Sequence, residues 1–482
     1  MLLVHNKNKY KNGILPMTLI NFAIGSVYCW TLFTDYITRE DSANFSPAVT
    51  AWSFSIALFI LGMAAAFGGR LVERNPKRSA WYTALTFTLG WALTGVSIQF
   101  AQAWLLILGF GFVQGVGLGL GYITPVKTMM IWGGNRKGLF AAMSITAFGL
   151  AGVIGNPVIQ WLLDSGLTPY QVFYALTVIY GICLVIGALL LHRPEMSAED
   201  LAADAAAGAV DDVKTFRLLR TPKFIFLWLV LFINITGGLS LISHERQIYY
   251  SGGHFVCPGA TDGVIFPLTE WSAQHAAYFT CVRPLQVIEI AGGYGQLFPN
   301  WLLLVMSTAT ANLLGRIVLG YFQDYMRKKH TPYYMMIATS IAITAIAAFT
   351  AGESWSIWTS FALVFTIQFM FGVGFACNPE ILRQNWGMRH LSTIQGLMLT
   401  AWAFAGLAGN QISSFVFYRT DWGRTGLFWV LCGLYSIQAL CMAVWVLVAK
   451  RGQRRHPESE GLDFDAGHVP ELVKVEAIGS IV

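Results

Sequence analysis

The sequence predicts an all-α membrane protein with twelve transmembrane helices arranged as two six-helix bundles. Three observations predict this class. First, 55% of the residues are hydrophobic and only 12% are charged, which is about half the charged fraction of a soluble globular protein. Second, apolar runs of about twenty residues recur along the chain, and each is long enough to cross about 30 Å of hydrocarbon. Third, basic residues cluster between alternate runs, as they do in membrane proteins with a fixed orientation.

The apolar runs are predicted to be helices, because only helices satisfy their own backbone polar groups as separate segments in lipid. The first run follows a lysine-rich start but is too long for a signal peptide, so we expect it to remain as the first membrane helix. The first bundle contains runs 14–34, 47–68, 80–99, 103–124, 138–162 and 169–191. The second bundle contains runs 223–243, 298–321, 333–351, 356–377, 392–415 and 425–449.

Basic residues between the runs predict the orientation. The clusters are Arg70/Arg74/Lys77/Arg78, Arg136/Lys137, Lys214/Arg217/Arg220/Lys223, Arg327/Lys328/Lys329 and Lys450/Arg451/Arg454/Arg455. With an even number of helices they all fall on one side, so the positive-inside rule places both termini in the cytoplasm. The predicted location is a cell membrane, of the bacterial inner-membrane type, crossed many times. These loops explain the formal charge of +6, so the lipid bilayer is a predicted partner and nucleic acid is not.

The chain divides into a few predicted segments. They are an N-terminal bundle (1–192), a cytoplasmic linker (193–222), a C-terminal bundle (223–450) with an outer polar insert (247–297), and a cytoplasmic tail (451–482). The insert contains Cys257 and Cys281. A disulfide between them would close a loop of about 25 residues, and this pairing is left open. We expect the protein to act as a monomer.

The two bundles repeat each other. In the fourth and tenth predicted helices the same residue types recur 254 positions apart: Gln114, Pro125 and Trp132 match Gln368, Pro379 and Trp386. The second and eighth helices also end alike, with a glycine four residues before an acidic residue. Parallel six-helix repeats place a substrate site near the membrane midplane, between the two bundles.

Arg316 is the strongest candidate for a binding residue. It lies eight residues before Asp324, or about 12 Å inside the membrane at 1.5 Å per residue. A lone arginine at that depth costs at least about 2.5–3.5 kcal/mol, so we expect it to face a cavity or a partner. Asn312 is one turn away on the same helix face. Because a guanidinium matches the planar geometry of a carboxylate, the predicted ligand is a small carboxylate anion.

Aromatic residues are predicted to form the walls of this site. Tyr28 and Trp30 lie in the first helix, Tyr122 in the fourth and Trp402 in the eleventh. Trp402 lies about 15 Å from the start of its helix, at the depth of Arg316. Aromatic residues at helical spacing usually pack in a core, so the alternative is that each of the four only packs.

The repeated loop motifs are predicted to form a gate. Gly69, Glu73 and Arg74 end the second helix, and Gly320 and Asp324 end the eighth. The two carboxylates could bond arginines and the positive end of a neighbouring helix in one access state and release them in the other. The alternative is a static, solvated turn.

Three other charged residues are predicted to have structural roles near the membrane surface. Lys127 is interpreted as an anchor at the membrane interface. Glu380 and Arg383, just past the tenth-helix proline, are predicted to form a local ion pair near the cytoplasmic end. The alternative is that Glu380 takes part in proton coupling.

These motifs resemble a known family. The paired Gly…Asp/Glu loops resemble those of the major facilitator superfamily, and the resemblance covers nearly the whole chain apart from the insert and the tail. Three segments are similar to the oxalate/formate antiporter family: Tyr28–Trp30, Gly117–Val126 and Ala311–Arg316. The resemblance implies that Arg316 binds the substrate carboxylate and that Tyr28 and Tyr122 belong to the aromatic walls.

Two positions depart from the oxalate exchangers of that family. Trp402 stands where they place a second cation, and Asn378 stands where they place an aromatic residue before the proline. One buried positive charge suits a monoanion better than a dianion, since an unmatched charge is costly to desolvate. The predicted function is therefore secondary transport of a monocarboxylate such as formate, lactate or pyruvate, in preference to oxalate. Alternating access would operate as anion exchange or as proton-coupled transport.

Other classes fit the sequence less well. A transporter-like receptor for an organic acid would need a signalling domain, and the linker and tail are too short for one. A drug or sugar exporter of the same fold is a further alternative, although sugar sites need several polar residues within the helices. No enzyme activity, cofactor or metal is predicted, because the sequence has no catalytic constellation and its nine histidines lack metal spacing.

Overall fold

The computed structural model describes residues 10–39, 42–194, 216–243, 301–325, 339–343, 345–346, 357–420 and 423–455. Nearly all of the regular structure in these ranges is helical. The insert 247–297 with Cys257 and Cys281, most of the linker and the end of the tail lie outside the described residues, as does most of predicted run 333–351. The predictions made for those segments therefore remain predictions.

The N-terminal helices occupy the residues before 192. They are α1 (Leu15–Gly25), α2 (Trp30–Ile37), α3 (Pro47–Arg74), α4 (Pro76–Gln99), α5 (Ala103–Leu106), α6 (Gln114–Gly133), α7 (Lys137–Asp164) and α8 (Pro169–Leu190). Two of the predicted spans are interrupted. A 3₁₀ turn, Ser26–Cys29, separates α1 from α2, and a π-helical segment, Ile107–Val113, joins α5 to α6.

The C-terminal helices follow residue 222. They are α9 (Pro222–Ser243), α10 (Trp301–Tyr325), α11 (Ile357–Trp386), α12 (Leu391–Met398), α13 (Thr400–Arg419) and α14 (Gly423–Arg455). Among the described residues of the whole chain, nine helical stretches are long and apolar enough to cross a membrane. Predicted spans 80–99 and 298–321 form α4 and α10 but are not among these nine. Both contain many polar and small residues, and α10 also carries a buried arginine and an aspartate.

Two helices extend well beyond their predicted apolar runs. The runs given as 103–124 and 356–377 continue through Pro125 and Pro379 and end at Gly133 and Trp386, nine residues later in each case, so the repeated prolines and tryptophans lie in these helices as predicted. A proline removes one backbone hydrogen bond within a helix. Membrane helices tolerate this loss where neighbouring helices pack around the freed group, and the residues that follow Pro125 in α6 are buried.

The N-terminal and C-terminal helices meet at two main antiparallel contacts. In the first, α3 packs against α12 and α13, and in the second, α7 packs against α10. Glycines allow very close approach in the first pair. A Cβ on Gly69 would lie 2.6 Å from the Cα of Thr393, and one on Gly396 would lie 2.1 Å from the carbonyl oxygen of Ala65. Gly320 of α10 is likewise pressed against Ala142 of α7. The two repeated loop glycines, 69 and 320, therefore both lie at contacts between the two sets of helices.

Candidate functional site

Arg316 lies in the middle of the protein, where α10 packs against α7. Its side chain is fully buried, with 0% relative exposure. The Nη1 atom donates a 2.5 Å hydrogen bond to the carbonyl oxygen of Ile145 on α7. Among the described residues, Nε and Nη2 have no hydrogen-bond partner. The edge of the guanidinium formed by Nε and Nη2 is the edge that can bind two carboxylate oxygens at once.

The charge of Arg316 is only partly compensated by its surroundings. None of the ion pairs found among the described residues includes it. Its Cζ lies 5.0 Å from the centre of the Phe375 ring, a cation–π contact worth about 0.5–2 kcal/mol. The hydroxyl groups of Tyr28 and Tyr122 are within electrostatic range of the guanidinium. A buried cation with these neighbours would be stabilised further by an anion.

An aromatic cluster surrounds the guanidinium. Tyr28 and Tyr122 both pack edge-to-face on Phe148, with ring centres 5.2 and 5.4 Å apart. Tyr122 also contacts Trp402 at 5.1 Å, and Trp402 contacts Phe375 at 4.7 Å. By strict geometry the Tyr28 hydroxyl and the Trp402 Nε1 make no hydrogen bond to a described residue, although the Tyr28 hydroxyl lies against the Arg316 guanidinium. Both groups can therefore donate to a ligand in this region.

A cavity of about 50 Å³ lies next to Arg316, between α7 and α10. Its walls are formed by Tyr28, Gly149, Gly152, Asn156, Ile242, Thr308, Ala309, Asn312, Gln368 and Phe371. A water molecule needs roughly 10–15 Å³ measured in the same way, so the space suits a few waters or a small solute. All of its polar wall residues are uncharged.

Gly149 connects the cavity to the arginine. A Cβ at this position would lie 3.7 Å from Nη1 and 3.8 Å from Cζ of Arg316. A larger side chain there would cover the guanidinium and fill the space above it. Because residue 149 has no side chain, only its backbone lies between the cavity and the guanidinium.

The structure brings together most of the predicted binding residues. Arg316, Asn312 and Tyr28 lie at or next to the cavity, and Tyr122 and Trp402 lie behind them in the aromatic cluster. Asn312 donates from Nδ2 to the Gln368 carbonyl oxygen at 3.2 Å.

Two predicted binding residues are placed elsewhere. Trp30 is buried in the N-terminal helices, where it stacks on Phe110 at 3.8 Å and donates from Nε1 to the Thr50 carbonyl oxygen. The ring and the indole N–H of Trp30 therefore both have partners within the N-terminal helices, which fits the alternative that this residue only packs. Asn378 is buried in α11, one turn past Phe375, and is not part of the cavity wall.

Several site residues were not identified from the sequence as binding residues. They are Phe148, Gly149, Asn156, Phe371 and Phe375. Gln368, which also lines the cavity, had been noted only as a member of the internal repeat.

Glu73 forms a cluster of bonds at the end of α3, which we call the gate. Its Oε1 accepts a 2.6 Å hydrogen bond from the backbone N–H of Ser392, in the first turn of α12. Its Oε2 is paired with the ammonium group of Lys127. Lys127 also donates a 2.6 Å hydrogen bond to the carbonyl oxygen of Arg389. The gate therefore joins α3 and α6 to the start of α12, where free backbone N–H groups favour a negative charge.

The gate differs in detail from the predicted one. Lys127 is not an interfacial anchor, because its side chain is only 2% exposed and is held by Glu73. The arginine that approaches Glu73 is Arg193, whose Nη1 donates to the Glu73 carbonyl oxygen at 3.0 Å, rather than Arg74. The side chain of Asp324 lies outside the described atoms, so its role in the second loop remains a prediction.

The predicted pair of Glu380 and Arg383 is present. Nη2 and Nε of Arg383 donate to the two carboxylate oxygens at 2.6 and 2.9 Å, and Gln384 donates a further bond at 2.9 Å. Because all of these bonds lie within α11, they satisfy the buried carboxylate locally.

The sequence is similar to those of known transporters. The family model of the Major Facilitator Superfamily matches residues 14–274. The chain is 25% identical to an uncharacterised MFS-type transporter, YhjX, of Escherichia coli K12, over 80% of this chain and 83% of that protein. It is 23% identical to the oxalate:formate antiporter of Oxalobacter formigenes, over 49% of this chain and 55% of that protein. It is 30% identical to apicoplast pyruvate carrier 1 of Toxoplasma gondii, over 35% and 38% of the two chains.

Solved structures show the same fold. The transporter FucP in its outward conformation is similar with a TM-score of 0.57 and 12% identity, over 90% of this chain and 99% of that one. The proton:xylose symporter XylE is similar with a TM-score of 0.57 and 14% identity, over 90% and 95% of the two chains. Since the family model also matches more than half of the sequence, the chain belongs to the Major Facilitator Superfamily and is a membrane transporter of that family.

Proposed function

We propose that this protein is a secondary transporter of a small monocarboxylate, such as formate, lactate or pyruvate. The observation that carries the proposal is the buried Arg316, whose Nε/Nη2 edge has no hydrogen-bond partner among the described residues. Its guanidinium lies behind Gly149, in the wall of a small cavity. A guanidinium edge donates two parallel hydrogen bonds to a carboxylate and supplies the opposite charge. A neutral ligand would leave that charge uncompensated in low-dielectric surroundings.

The charge count favours a monoanion over a dianion. The described cavity wall contains no charged side chain, Arg316 lies behind it next to Gly149, and Trp402 is packed into the aromatic cluster. A second carboxylate in this space would face amides, a threonine and aromatic rings. Its desolvation would not be offset by a second cation.

Two relatives support an organic acid as cargo. One is named an oxalate:formate antiporter and the other a pyruvate carrier. Both names describe small carboxylates, and in both cases less than two thirds of the relative's length is matched. They support the substrate class and leave the choice of acid to the geometry.

The described contacts fit one state of an alternating-access cycle. The N-terminal and C-terminal helices are closed at the gate, where Glu73 is bonded to Ser392. The cavity extends the opposite way, since Asn156 and Thr308 lie about 10 and 6 Å further from the gate than Gly149 and Asn312, at 1.5 Å per residue. Under the predicted orientation, we propose that this arrangement is a state closed on the cytoplasmic side.

Uptake into proteoliposomes tests the proposal. Purified protein would be offered labelled formate, lactate, pyruvate and oxalate, and xylose as a neutral solute. We expect uptake of at least one monocarboxylate at a rate at least tenfold above that of oxalate and xylose. Preloading with unlabelled acid and imposing a pH gradient in separate experiments would distinguish exchange from proton coupling. Rapid uptake of xylose with no uptake of any carboxylate would contradict the proposal.

A further inference from the structure

A second cavity lies beside the gate and outside the central site. It is an open groove of about 510 Å³, walled by the turn between α3 and α4 and by the segment that follows α8. The groove is lined by Arg74, Lys77, His192 and Arg193, with Glu73 at its edge. The central cavity has neutral walls, whereas this groove is strongly basic.

Among the described residues, the positive charge of the groove exceeds its negative charge. Three permanent cations line this part of the groove, and its one lining carboxylate in the described ranges, that of Glu73, already accepts bonds from Lys127 and from the Ser392 backbone. Arg74 and Lys77 are exposed, and neither is in an ion pair found among the described residues. The groove also lies at the first turn of α4, where a helix N-terminus adds partial positive charge.

The walls of the groove are held in place by hydrogen bonds. The backbone N–H of His192 donates to the Asn12 carbonyl oxygen at 3.0 Å, and the His192 carbonyl accepts from Trp132 Nε1 at 2.9 Å. Arg193 is fixed by its 3.0 Å bond to the Glu73 carbonyl. On the other wall, the Asn75 side chain accepts from the Arg78 N–H at 2.9 Å and caps α4. The cations are thus attached to backbone segments whose positions are defined.

We propose that this groove is a phosphate-binding site that receives either a free phosphate or the headgroup of an anionic phospholipid. A phosphate has more acceptor oxygens than a carboxylate, so cations on opposite walls can bond to it together. Arg74 and Arg193 supply planar donors and Lys77 a point charge, and both kinds of donor are common in phosphate sites. The site is separate from the central cavity and does not depend on which solute is transported.

Arg193 belongs to both the groove and the gate. Its Nη1 is 4.0 Å from the Glu73 carboxylate and bonds the carbonyl of the same residue. A phosphate bonded to Arg193 would therefore lie next to the carboxylate that joins α3 to α12. This position makes the groove a point from which a cytoplasmic anion or a lipid could act on the gate.

Isothermal titration calorimetry of the purified full-length protein in detergent tests the site. The probes are inorganic phosphate, short-chain phosphatidylglycerol and short-chain phosphatidylcholine, at constant ionic strength set with chloride because exposed charges are screened by salt. We expect saturable binding of phosphate, of phosphatidylglycerol or of both, and weaker binding of the zwitterionic lipid. Competition between the first two would show that one groove takes both, and binding of only one would identify the source.

Matched variants locate the site on the protein. Lys77→Gln should weaken binding of the phosphate-bearing probe about tenfold, the usual loss for one charge-assisted bond, and Lys77→Arg should restore most of it. Arg136→Gln removes an equally exposed cation from outside the groove and should change binding less than twofold. Equal losses in Lys77→Gln and Arg136→Gln, or equal binding of phosphatidylcholine and phosphatidylglycerol, would overturn the proposal.

Discussion

Arg316 on α10 donates a 2.5 Å hydrogen bond from Nη1 to the carbonyl oxygen of Ile145 on α7. This bond connects a C-terminal helix to an N-terminal helix and fixes the plane of the guanidinium. It leaves the Nε/Nη2 edge without a partner among the described residues. The same side chain therefore contributes to the contact between the two sets of helices and presents the donors that we assign to the substrate.

The Tyr28 hydroxyl is expected to bind the substrate carboxylate together with Arg316. Tyr28→Phe keeps the ring contact with Phe148 and removes only the donor. Loss of a hydrogen bond to a charged group costs about 1.5–3 kcal/mol, so KM for the transported acid should rise at least tenfold with a smaller change in kcat. Initial uptake rates over a range of substrate concentrations would measure both constants.

Tyr435→Phe is the control for this experiment, because Tyr435 is also a buried tyrosine and lies in a separate C-terminal cluster. It should leave KM within about twofold of the original value. A similar rise of KM in both variants would show that the Tyr28 result reflects general destabilisation and not loss of a ligand contact.

Gly149 is expected to limit the size of the substrate. A valine there would fill the space beside the Arg316 guanidinium, which lies 3.7 Å from the position of a Cβ. Gly149→Val should therefore reduce uptake of lactate and pyruvate more than uptake of formate, with a change in the uptake ratio of about tenfold. Competition assays with pairs of labelled acids measure this ratio without depending on expression level. An unchanged ratio would place the substrate away from residue 149.

The charge of Glu73 is expected to hold the gate closed. Glu73→Gln leaves the buried Lys127 without its counter-charge, and breaking a buried pair in this way costs about 3–5 kcal/mol. The variant should unfold at a Tm several degrees lower. It should also increase the reaction of a cysteine placed at residue 393 with a water-soluble thiol reagent, because the contact between α3 and α12 opens.

A double variant separates the charge pair from other effects of the substitution. Lys127→Met combined with Glu73→Gln removes both partners, so most of the lost Tm should return. Asp164→Asn, at an exposed site on α7, is the control and should leave Tm unchanged. If the double variant were less stable than Glu73→Gln by the full cost of a second independent substitution, Lys127 and Glu73 would not act as a pair.

The close contact of α3 with α12 is expected to depend on glycine. Gly396→Ala would place a methyl group 2.1 Å from the Ala65 carbonyl oxygen, so the two helices must separate. We expect a lower Tm and slower uptake of the transported acid. Gly433→Ala adds the same methyl group where no atom lies within 4 Å and should be neutral in thermal unfolding and in transport assays.

The sequence predicted the features that depend on polarity against an apolar background. Arg316 and Asn312 could be recognised because a polar group inside a membrane helix needs a compensating partner. Glu73 could be recognised because its loop motif is repeated in the second half of the chain. The helices themselves followed from the length of the apolar runs. The repeat of residue types 254 positions apart indicated which helices are equivalent, and the glycines of the repeated loop motif, 69 and 320, lie at the contacts between the two sets of helices.

Other features depend on packing and were not visible in the sequence. Phe148 and Phe375 are two of 33 phenylalanines, and no local pattern distinguishes them from those facing lipid. The sequence also did not show that Trp30 stacks on Phe110 or that Lys127 reaches Glu73, 54 residues away. The apolar runs also did not show how far the helices continue beyond Pro125 and Pro379, because the neighbours that pack around these prolines are distant in sequence.

Equilibrium binding of a labelled monocarboxylate tests the role of Arg316 most directly. Formate, lactate and pyruvate would be measured against the purified protein and the variants Arg316→Lys, Arg316→Gln and Arg136→Gln, each shown to be folded by its Tm. We predict that Arg136→Gln binds like the original protein and that Arg316→Lys binds at least tenfold more weakly. Arg316→Gln should show no saturable binding. A folded Arg316→Gln variant that binds one of these acids within threefold of the original affinity would contradict the account.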